Sequence, residues 1–334
     1  MKFSEILDIR NQRYKITNKK YICTYFDYNY LPRGLALYYS IKRYHSEFDF
    51  FVLAFDDLTY DYLRNLNEDN LKLVSCKDYD AYFQISFDKF EDKKQYYFSA
   101  TPNLCNYLFD TNPDIDILLY LDADVYLFNS LDPLYDEFGD SSIAFTPHRV
   151  HPLLKLFVKH YGNYVIGVNL FRNSESGIKC LRDWKNECDS WYPDKPGYPL
   201  KFFSDQIFLD SWDNKYVGIK IIKNIGINVC YWNAVNYIFK KIDNVYFVNN
   251  KPLIIFHFSS LRKESDTTWN TYSIYGLVSI KDTLRDIYIE YINQIESFGL
   301  DNKKWEKISH GESIQKRISH FILKFFINEK IVIR

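Results

Sequence analysis

The chain has 334 residues, of which 47% are hydrophobic and 19% aromatic, and this length allows one large domain or two smaller ones with ample core. Such a composition is typical of globular proteins and excludes an intrinsically disordered chain. Basic and acidic residues nearly balance, with a formal net charge of -1, so there is no overall basic field of the kind that binds nucleic acid.

The cysteines and the hydrophobic stretches indicate the cellular compartment. No apolar stretch reaches the roughly 18 residues that a membrane-spanning helix needs, and the N-terminus lacks the apolar segment of a signal peptide. The six cysteines are scattered and form no Cys-x-x-Cys pair, so we interpret them as reduced and mostly buried thiols. These features predict a cytoplasmic protein.

Strand and helix patterns alternate along the first third of the chain, which predicts a parallel or mixed α/β sheet. Strands are predicted over 21–26, 50–55 and 71–74, and helices over 35–44, 58–66 and 97–109, with Pro102 in the first turn of the last helix. Ligands of such sheets bind beyond the carboxyl ends of the strands, where loops with Asp27 and Asp56 are predicted. Neither a Gly-x-Gly-x-x-Gly motif nor a Walker loop is present, which disfavours dinucleotide oxidoreductases and P-loop enzymes.

An apolar run from Ile117 to Leu121 predicts a further buried strand, and it ends in Asp122 and Asp124. If the backbone stays extended, both carboxylates leave the same face of the strand. Unpaired buried carboxylates are costly, so they need a cation or a basic partner. Such a pair suits a divalent metal that carries a diphosphate. The alternative is a solvated acidic turn after a core strand.

The second half of the chain continues the mixture of strands, helices and polar loops. A short strand followed by a polar loop is predicted over 144–149. Strands are predicted over 162–172, with a glycine where something approaches closely, and over 253–258, ending near His257. Helices are predicted over 178–191, from 203–209 with Ser204 as N-cap, and over 280–298. Residues 226–233 form a loop of polar and aromatic side chains.

The C-terminal tail differs in character from the rest. Residues 302–334 carry eight basic and three acidic side chains, a net charge of +5, and apolar residues recur at helical spacing from Ile314 to Phe325. Two interpretations stay open: a helix that packs on the body or on a second subunit, or a basic amphipathic segment that lies peripherally on the anionic inner face of the membrane.

The order of the acidic and basic motifs resembles that of the GT-A glycosyltransferases. Asp122-Ala123-Asp124 follows an apolar strand, Asp205-Gln206 comes later, and His257 is followed by Lys263 in a His-x5-Lys pattern. The resemblance spans about residues 20 to 265 and is closest to the retaining group that includes glycogenin and the lipopolysaccharide galactosyltransferases. Further blocks resemble bacterial surface-polysaccharide glycosyltransferases. The implied fold is α/β, a Rossmann-like mixed sheet flanked by helices.

The resemblance also implies a division of the chain. Residues 1–276 would form the catalytic domain, with a nucleotide-binding half over 20–130 and a sugar and acceptor half over 131–276. Residues 277–334 would form a helical, basic C-terminal extension.

In the nucleotide half, the resemblance implies that Asp27 accepts the N3–H of a uracil base and that Tyr30 stacks on its ring. Thr24 and Ala123 are further expected contacts of the nucleotide-sugar donor. These assignments are the basis for favouring a UDP-linked donor.

The resemblance implies a metal held by Asp122, Asp124 and His257. Two carboxylates favour Mg²⁺ or Mn²⁺, and an imidazole ligand tilts the choice toward Mn²⁺. Lys263 and Arg262 would add charged hydrogen bonds to the diphosphate. The alternative for His257 is an ordinary strand-end histidine.

For the transferred sugar, the resemblance implies that Asp205 holds hydroxyl groups. Gln206 would stabilise an oxocarbenium-like state from the face opposite the leaving group. Asp205 is alternatively an acid favoured by a helix N-terminus. Trp232 and Asn233 are expected to form the acceptor platform, although Trp232 is equally consistent with a core residue.

The motifs also depart from the family pattern. Glu264 follows Lys263 where the family prefers Pro-Trp, and the 97–109 helix lacks an arginine that often touches the donor. Arg149 or Lys94 would fill that place, or else Arg149 is a loop salt-bridge partner. His148 is interpreted as structural.

These features together predict a metal-dependent, retaining glycosyltransferase that moves a hexose from a UDP-sugar to a glycan or glycolipid in surface-polysaccharide synthesis. One alternative is an inverting enzyme of the same fold, with Asp194 or Asp213 as the base. Another is a catalytically silent protein that binds nucleotide sugars. A metal phosphohydrolase built on Asp122 and Asp124 is disfavoured, because the further ligands of a two-metal site are not evident.

Overall fold

The computed structural model describes residues 19–90, 93–152, 162–191, 204–271, 282–300 and 330–332. Asp194 and the helical pattern predicted over 314–325 lie outside the described residues. All six cysteines are described; they are free thiols, and only Cys76 is not fully buried, which confirms the prediction. Across the described ranges, no helix has the length and apolar character needed to cross a bilayer.

The first part of the chain alternates strands and helices, as predicted. Its elements are β1 (Lys20–Phe26), α1 (Leu31–Tyr44), β2 (Phe48–Ala54), α2 (Asp57–Asn65), β3 (Leu71–Ser75), α3 (Cys76–Phe83), α4 (Lys93–Thr111) and β4 (Ile117–Leu121).

The second part is built from shorter elements. They are β5 (Val125–Leu127), α5 (Asp132–Phe138), β6 (Ile143–Pro147), β7 (Tyr164–Arg172), α6 (Glu175–Asp189), a 3₁₀ helix (Asp205–Ser211), α7 (Trp212–Lys215), β8 (Ile219–Ile221), β9 (Val229–Cys230), β10 (Phe239–Ile242), β11 (Val245–Val248), β12 (Lys251–Pro252), β13 (Ile255–His257), β14 (Arg262–Lys263), β15 (Thr268–Asn270), α8 (Asp282–Glu296) and β16 (Lys330–Val332).

The central sheet has seven strands in the order β3-β2-β1-β4-β7-β6-β8. Strands β1 to β4 are parallel, β7 is antiparallel to both of its neighbours, and β8 is parallel to β6. This mixed sheet confirms the predicted α/β class. The carboxyl ends of β1, β2 and β4 lie at one edge, so Asp27, Asp56 and Asp122 follow neighbouring strands there, as predicted.

Strand β4 is buried on both faces, which explains its continuous apolar sequence. Leu118 and Tyr120 belong to the apolar cluster beneath helices α4 and α6, whereas Leu119 and Leu121 belong to the cluster beneath α1. This alternation follows from the two-residue period of an extended strand.

A smaller sheet in the order β5-β13-β9 positions the second half of the site. Strand β13 runs antiparallel to β5, with His257 opposite Val125. Helix α8 covers this sheet, since Tyr291 stacks on Phe258 with ring centroids 3.8 Å apart. Helix α8 therefore belongs to the wall behind the site.

Three local predictions were wrong in detail. Helix α4 begins at Lys93 and not at 97, so Pro102 lies in its interior and not in its first turn. The Gln95 amide donates to the Cys188 carbonyl at 2.9 Å, which attaches this first turn to the end of α6. The segment from Asp205 is a 3₁₀ helix in which the Ser204 side chain makes no capping hydrogen bond. Lys330–Val332, in the tail predicted to be helical, form a strand paired with β15.

Candidate functional site

Two carboxylates and one imidazole meet at the carboxyl end of β4. Ligand atoms of Asp122, Asp124 and His257 all lie within 4.8 Å of one another. His257 Nε2 lies 3.5 Å from Asp122 Oδ2 and 3.0 Å from Asp124 Oδ1. The structure thus brings together the three residues that were predicted as metal ligands.

The carboxylates converge by a turn and not by strand alternation. Strand β4 ends at Leu121, and the Val125 N–H donates to the Asp122 carbonyl at 3.2 Å, which closes a turn over Asp122–Val125. The Phe258 N–H donates to the Asp124 carbonyl at 2.9 Å, which holds the end of β13 against that turn. The condition of an extended backbone is therefore not met, although the two carboxylates still point to one site.

The charges of the cluster are strongly interdependent. Burial raises the pKa of Asp122, and the His257 imidazole offsets this only in part. Burial acts in the same direction on Asp124, but His257 and Arg33 outweigh it and lower the pKa of that carboxyl. Burial lowers the pKa of His257, but the two carboxylates outweigh it and raise the pKa. Two carboxylates thus converge with one imidazole, with Arg33 beside Asp124, and their oxygen and nitrogen atoms are donors of the kind that bind a divalent cation.

A glycine clears the space beside the cluster. Gly167 on β7 has a φ of +126°, and a Cβ placed there would lie 2.9 Å from His257 Cε1 and 3.0 Å from Asp122 Oδ2. Its carbonyl accepts the Asp122 N–H at 3.1 Å. The predicted close approach at a glycine of this strand is confirmed. Together with the oxygen and nitrogen donors, this cleared space fits a divalent cation such as Mn²⁺ or Mg²⁺.

Asn228 determines which nitrogen of His257 faces the carboxylates, and sequence reasoning missed it. The Asn228 amide nitrogen donates to Thr146 Oγ1 at 2.6 Å, so its Oδ1, 3.3 Å from His257 Nδ1, accepts a hydrogen bond from the imidazole. Nε2 is thus the ring nitrogen that faces Asp122 and Asp124. An Nδ1–H held by a neighbouring acceptor is the arrangement that a metal ligand bound through Nε2 requires.

We expect Asn228→Ala to weaken Mn²⁺ binding about tenfold, because partners that orient a ligating histidine contribute to metal affinity on this scale. Calorimetric titration with Mn²⁺ measures the effect. Asn173→Ala is the matched control. Asn173 directly follows β7, and its amide donates to the Ile115 carbonyl at 3.2 Å. Equal Mn²⁺ affinities in Asn228→Ala and wild type would contradict the orienting role.

Asp205 and Gln206 lie in the first turn of the 3₁₀ helix beside the cluster. Asp205 is only 8% exposed. Burial raises the pKa of Asp205 well above its usual range, and the charge of Asp122 adds to the rise. The charge of Asp205 therefore interacts with that of Asp122, one of the predicted metal ligands. Sugar contacts by Asp205 and Gln206 stay predictions.

The two predicted acceptor residues have different surroundings. The Trp232 ring meets the His257 ring edge to face, with centroids 5.6 Å apart. Asn233 is fully buried, and its side chain accepts the Cys230 N–H at 3.0 Å and donates to the Asn228 carbonyl at 3.2 Å. Asn233 thus shapes the turn that carries Asn228, instead of facing an acceptor as predicted. An acceptor contact by Trp232 stays a prediction.

The predicted base-binding residues lie in the loop after β1. The Asp27 carboxylate accepts hydrogen bonds from the Asn29 amide at 3.0 Å and from the Tyr30 N–H at 3.2 Å, so it shapes this loop. Tyr30 is 42% exposed and offers a ring face for stacking. Thr24 is fully buried in β1, and a donor contact by this residue stays a prediction. Ala123 is nearly buried between the two aspartates.

The predicted diphosphate residues occupy the short strand β14. Lys263 Nζ lies 2.7 Å from Glu296 Oε1 at the end of α8, and Trp269 Nε1 donates to the same carboxylate at 3.1 Å. Arg262 is exposed, and its charge lowers the pKa of the Tyr30 hydroxyl, opposing the rise that comes from desolvation of the hydroxyl end of this otherwise exposed side chain. Lys263 is therefore held by the C-terminal helix in this structure, and Arg262 is the more accessible of the two cations.

Arg149 supports the loop before Asn228. Its guanidinium donates to the carbonyl oxygens of Ile227 at 2.8 Å, Ile222 at 3.0 Å and Asn224 at 3.2 Å. The structure thus gives Arg149 a place in the scaffold, in contrast to both the predicted donor contact and the predicted salt bridge. His148 is bonded through Nδ1 to the Gly162 carbonyl at 3.0 Å, and burial lowers its pKa to about 4, in agreement with its structural interpretation.

A buried arginine at the site was also missed. The side chain of Arg33 in the first turn of α1 is 3% exposed, and its Nη1 lies 3.8 Å from Asp124 Oδ2. An arginine near a helix start is usually solvated, so the local sequence carried no signal for this contact.

The fold and site can be compared with known proteins. No protein-family model matches the chain. Two uncharacterized proteins of Bacillus subtilis (strain 168) are similar in sequence: YfnD is 20% identical over 271 residues, 81% of this chain and 85% of YfnD, and YfnF is 24% identical over 247 residues, 72% of this chain and 81% of YfnF.

A solved structure shares the architecture. The galactosyltransferase LgtC, in complex with donor and acceptor sugar analogs, superimposes with a TM-score of 0.51 and 16% identity, over 85% of this chain and 98% of LgtC. The chain therefore has the GT-A fold that the sequence motifs implied.

Proposed function

We propose that the protein is a divalent-metal-dependent glycosyltransferase. It moves a hexose from a nucleotide sugar, with UDP favoured, to a glycan or glycolipid acceptor in surface-polysaccharide synthesis. The observation that carries this proposal is the convergence of Asp122, Asp124 and His257 at the carboxyl edge of a GT-A sheet, within 4.8 Å of one another.

The chemistry needs a stabilised leaving group. Negative charge grows on the nucleoside diphosphate as the glycosidic bond breaks. Asp122, Asp124 and His257 would hold a metal ion, which when bound supplies Lewis-acid stabilisation of that charge. Arg262 is exposed near Tyr30 and would donate charge-assisted hydrogen bonds to the phosphates. The exposed ring of Tyr30 would bind the base by stacking, which makes the loop after β1 the nucleotide-recognition element.

Retention of the anomeric configuration is the favoured outcome. Asp205 is a buried carboxyl group at the start of the 3₁₀ helix, a place suited to hydrogen bonding with sugar hydroxyls. Gln206, next to it, would offer an amide oxygen to the oxocarbenium-like state. Asp213, the described candidate base for an inverting reaction, is exposed on α7. Determination of the product anomer separates the two outcomes.

The basic tail supports a further part of the proposal, namely action at the cytoplasmic side of the membrane. Its net charge of +5 over residues 302–334 would attract an anionic membrane surface, where glycolipid acceptors lie. Sedimentation with vesicles of anionic and of neutral lipids measures this attraction.

Calorimetric titration with UDP, GDP and dTDP, each with and without Mn²⁺, tests the proposal. Of the three nucleotides, we expect only UDP to bind, and we expect its binding to be lost when Mn²⁺ is removed. Binding of a different nucleotide would reject the roles of Asp27 and Tyr30 but retain the transferase. Absence of nucleotide binding would reject the proposed function. A turnover assay with UDP-glucose and UDP-galactose then separates a transferase from a protein that only binds its donor.

A further inference from the structure

Arg33 is a buried cation inside an otherwise acidic cluster. It is the third residue of α1, and its side chain is 3% exposed. Arginine is rarely buried to this degree unless its charge is compensated, because the desolvation of a guanidinium costs several kcal/mol, roughly, when it has no partner. The contacts of Arg33 therefore indicate its role in the site.

The guanidinium joins two parts of the site. Nη2 donates to the Leu261 carbonyl, and Nη1 lies 3.8 Å from Asp124 Oδ2. The Tyr30 ring covers the group, with the Arg33 Cζ atom 5.2 Å from its centroid. Since Leu261 belongs to the segment that follows His257, Arg33 connects α1, the acidic turn and the chain after β13.

The two oxygens of Asp124 are divided between two partners. Oδ1 lies 3.0 Å from His257 Nε2, on the side where Asp122 also lies, whereas Oδ2 faces Arg33. A carboxylate held in this way presents a single oxygen to the cluster. Rotation of the Asp124 side chain would break its contacts with both His257 and Arg33, so the pair of contacts selects one rotamer.

The segment after His257 is also shaped for this contact. The Leu261 N–H donates to the Phe258 carbonyl at 3.1 Å, and Ser260 has a φ of +69°, which a serine seldom adopts. This tight turn directs the Leu261 carbonyl toward Arg33 and places Arg262 immediately after it. The same guanidinium thus fixes one metal ligand and the start of β14.

We propose that Arg33 is a positioning residue that holds Asp124 in its metal-binding rotamer and so strengthens the binding of a divalent cation, although Arg33 is itself positively charged. The proposal rests on the metal dependence proposed above. It goes beyond it by assigning a determinant of affinity to a residue that does not ligate the ion.

The sign of the effect distinguishes positioning from simple electrostatics. Removal of a positive charge beside a cation site would strengthen cation binding if charge alone mattered. Positioning predicts the opposite, because loss of the contact frees Asp124 to rotate. The two explanations therefore differ in direction and not only in size.

The test uses Arg33→Met, which keeps an unbranched apolar stem, and Arg33→Lys, which keeps the charge but lacks the planar fork that reaches two acceptors. Mn²⁺ affinity is measured by electron paramagnetic resonance of the free ion, without any turnover. We expect about tenfold weaker binding in Arg33→Met and a smaller loss in Arg33→Lys, as for other residues that orient metal ligands.

Arg43→Met is the matched control. Arg43 lies in the last turn of the same helix and donates to the Tyr126 hydroxyl at 2.9 Å, away from Asp124. We expect this variant to keep wild-type Mn²⁺ affinity. Circular dichroism melting of all variants separates a loss of folding from a loss of binding, and if Arg33→Met does not fold, the Arg33→Lys result decides.

Each outcome has a definite meaning. Equal or tighter Mn²⁺ binding by folded Arg33→Met would overturn the inference, as would wild-type affinity in Arg33→Lys, because the planar fork that joins Asp124 to Leu261 would then not be needed. If the wild-type protein itself binds no Mn²⁺, the proposed metal dependence fails first. The failure of the inference and that of the proposed function are thus distinguishable.

Discussion

Replacement of Asp124 by asparagine is expected to abolish detectable Mn²⁺ binding and to lower metal-dependent transfer by about a thousandfold or more. Lewis-acid stabilisation contributes several kcal/mol, and each 1.4 kcal/mol or so is about tenfold in rate. An asparagine has a single amide oxygen, whereas Asp124 uses one oxygen toward His257 and the other toward Arg33. One of these partners would then face an amide N–H₂ group in place of an acceptor.

The matched control for this substitution is Asp140→Asn, because Asp140 is an exposed aspartate beyond the end of α5. Both variants are titrated with Mn²⁺ and with UDP plus Mn²⁺, and then assayed for transfer from a UDP-hexose. We expect the control to behave as wild type. If Asp124→Asn retained both activity and metal dependence, the mechanism built on the cluster would be wrong.

Substitution of Gly167 by alanine is expected to produce the second largest effect. Its φ of +126° is one that residues with a Cβ rarely adopt, and the new Cβ would lie 2.9 Å from His257 Cε1. Backbone strain of this kind destabilises by about 1–3 kcal/mol, and displacement of His257 and Asp122 should weaken Mn²⁺ binding about a hundredfold. Thermal unfolding and calorimetric titration measure the two effects separately.

Gly299→Ala provides the matched control for Gly167→Ala. Gly299 also has a positive φ, +62°, but no heavy atom lies within 4 Å of the position a Cβ would take. This variant should show the backbone penalty in its melting temperature while it keeps wild-type Mn²⁺ affinity. An undiminished Mn²⁺ affinity in Gly167→Ala would mean that the space beside His257 is not needed by the bound ion.

The central strand illustrates what can be predicted from local sequence. The apolar run of β4 predicted a strand buried on both faces, and both faces are packed in the structure. The two aspartates that follow it converge, but they do so through a turn after Leu121 and not through the extended backbone that the sequence argument took as its condition. A pattern of apolar residues marks where a strand lies more reliably than it marks the conformation just beyond its end.

The polar residues of the site show where local sequence was insufficient. Arg33 and Leu261 are 228 positions apart, and His257 depends on Asn228, which lay in a segment predicted only as a loop. Lys263 was expected at a diphosphate, yet Glu296 of α8 binds it in this structure. These contacts join residues that lie far apart in the sequence, so no local spacing pattern predicts them.

The sequence by itself determined the alternation of strands and helices, the sheet edge at which the acidic loops meet, and the motif order that implied the GT-A fold. Tertiary structure alone decided which polar side chains are already used by the protein, as in Asn233 and Arg149, and which ones reach the cluster, as in Arg33 and Asn228. The physical reason lies in the range of the forces. Strand and helix patterns depend on neighbours within a few positions, whereas each buried donor and acceptor must find its partner wherever the fold brings one.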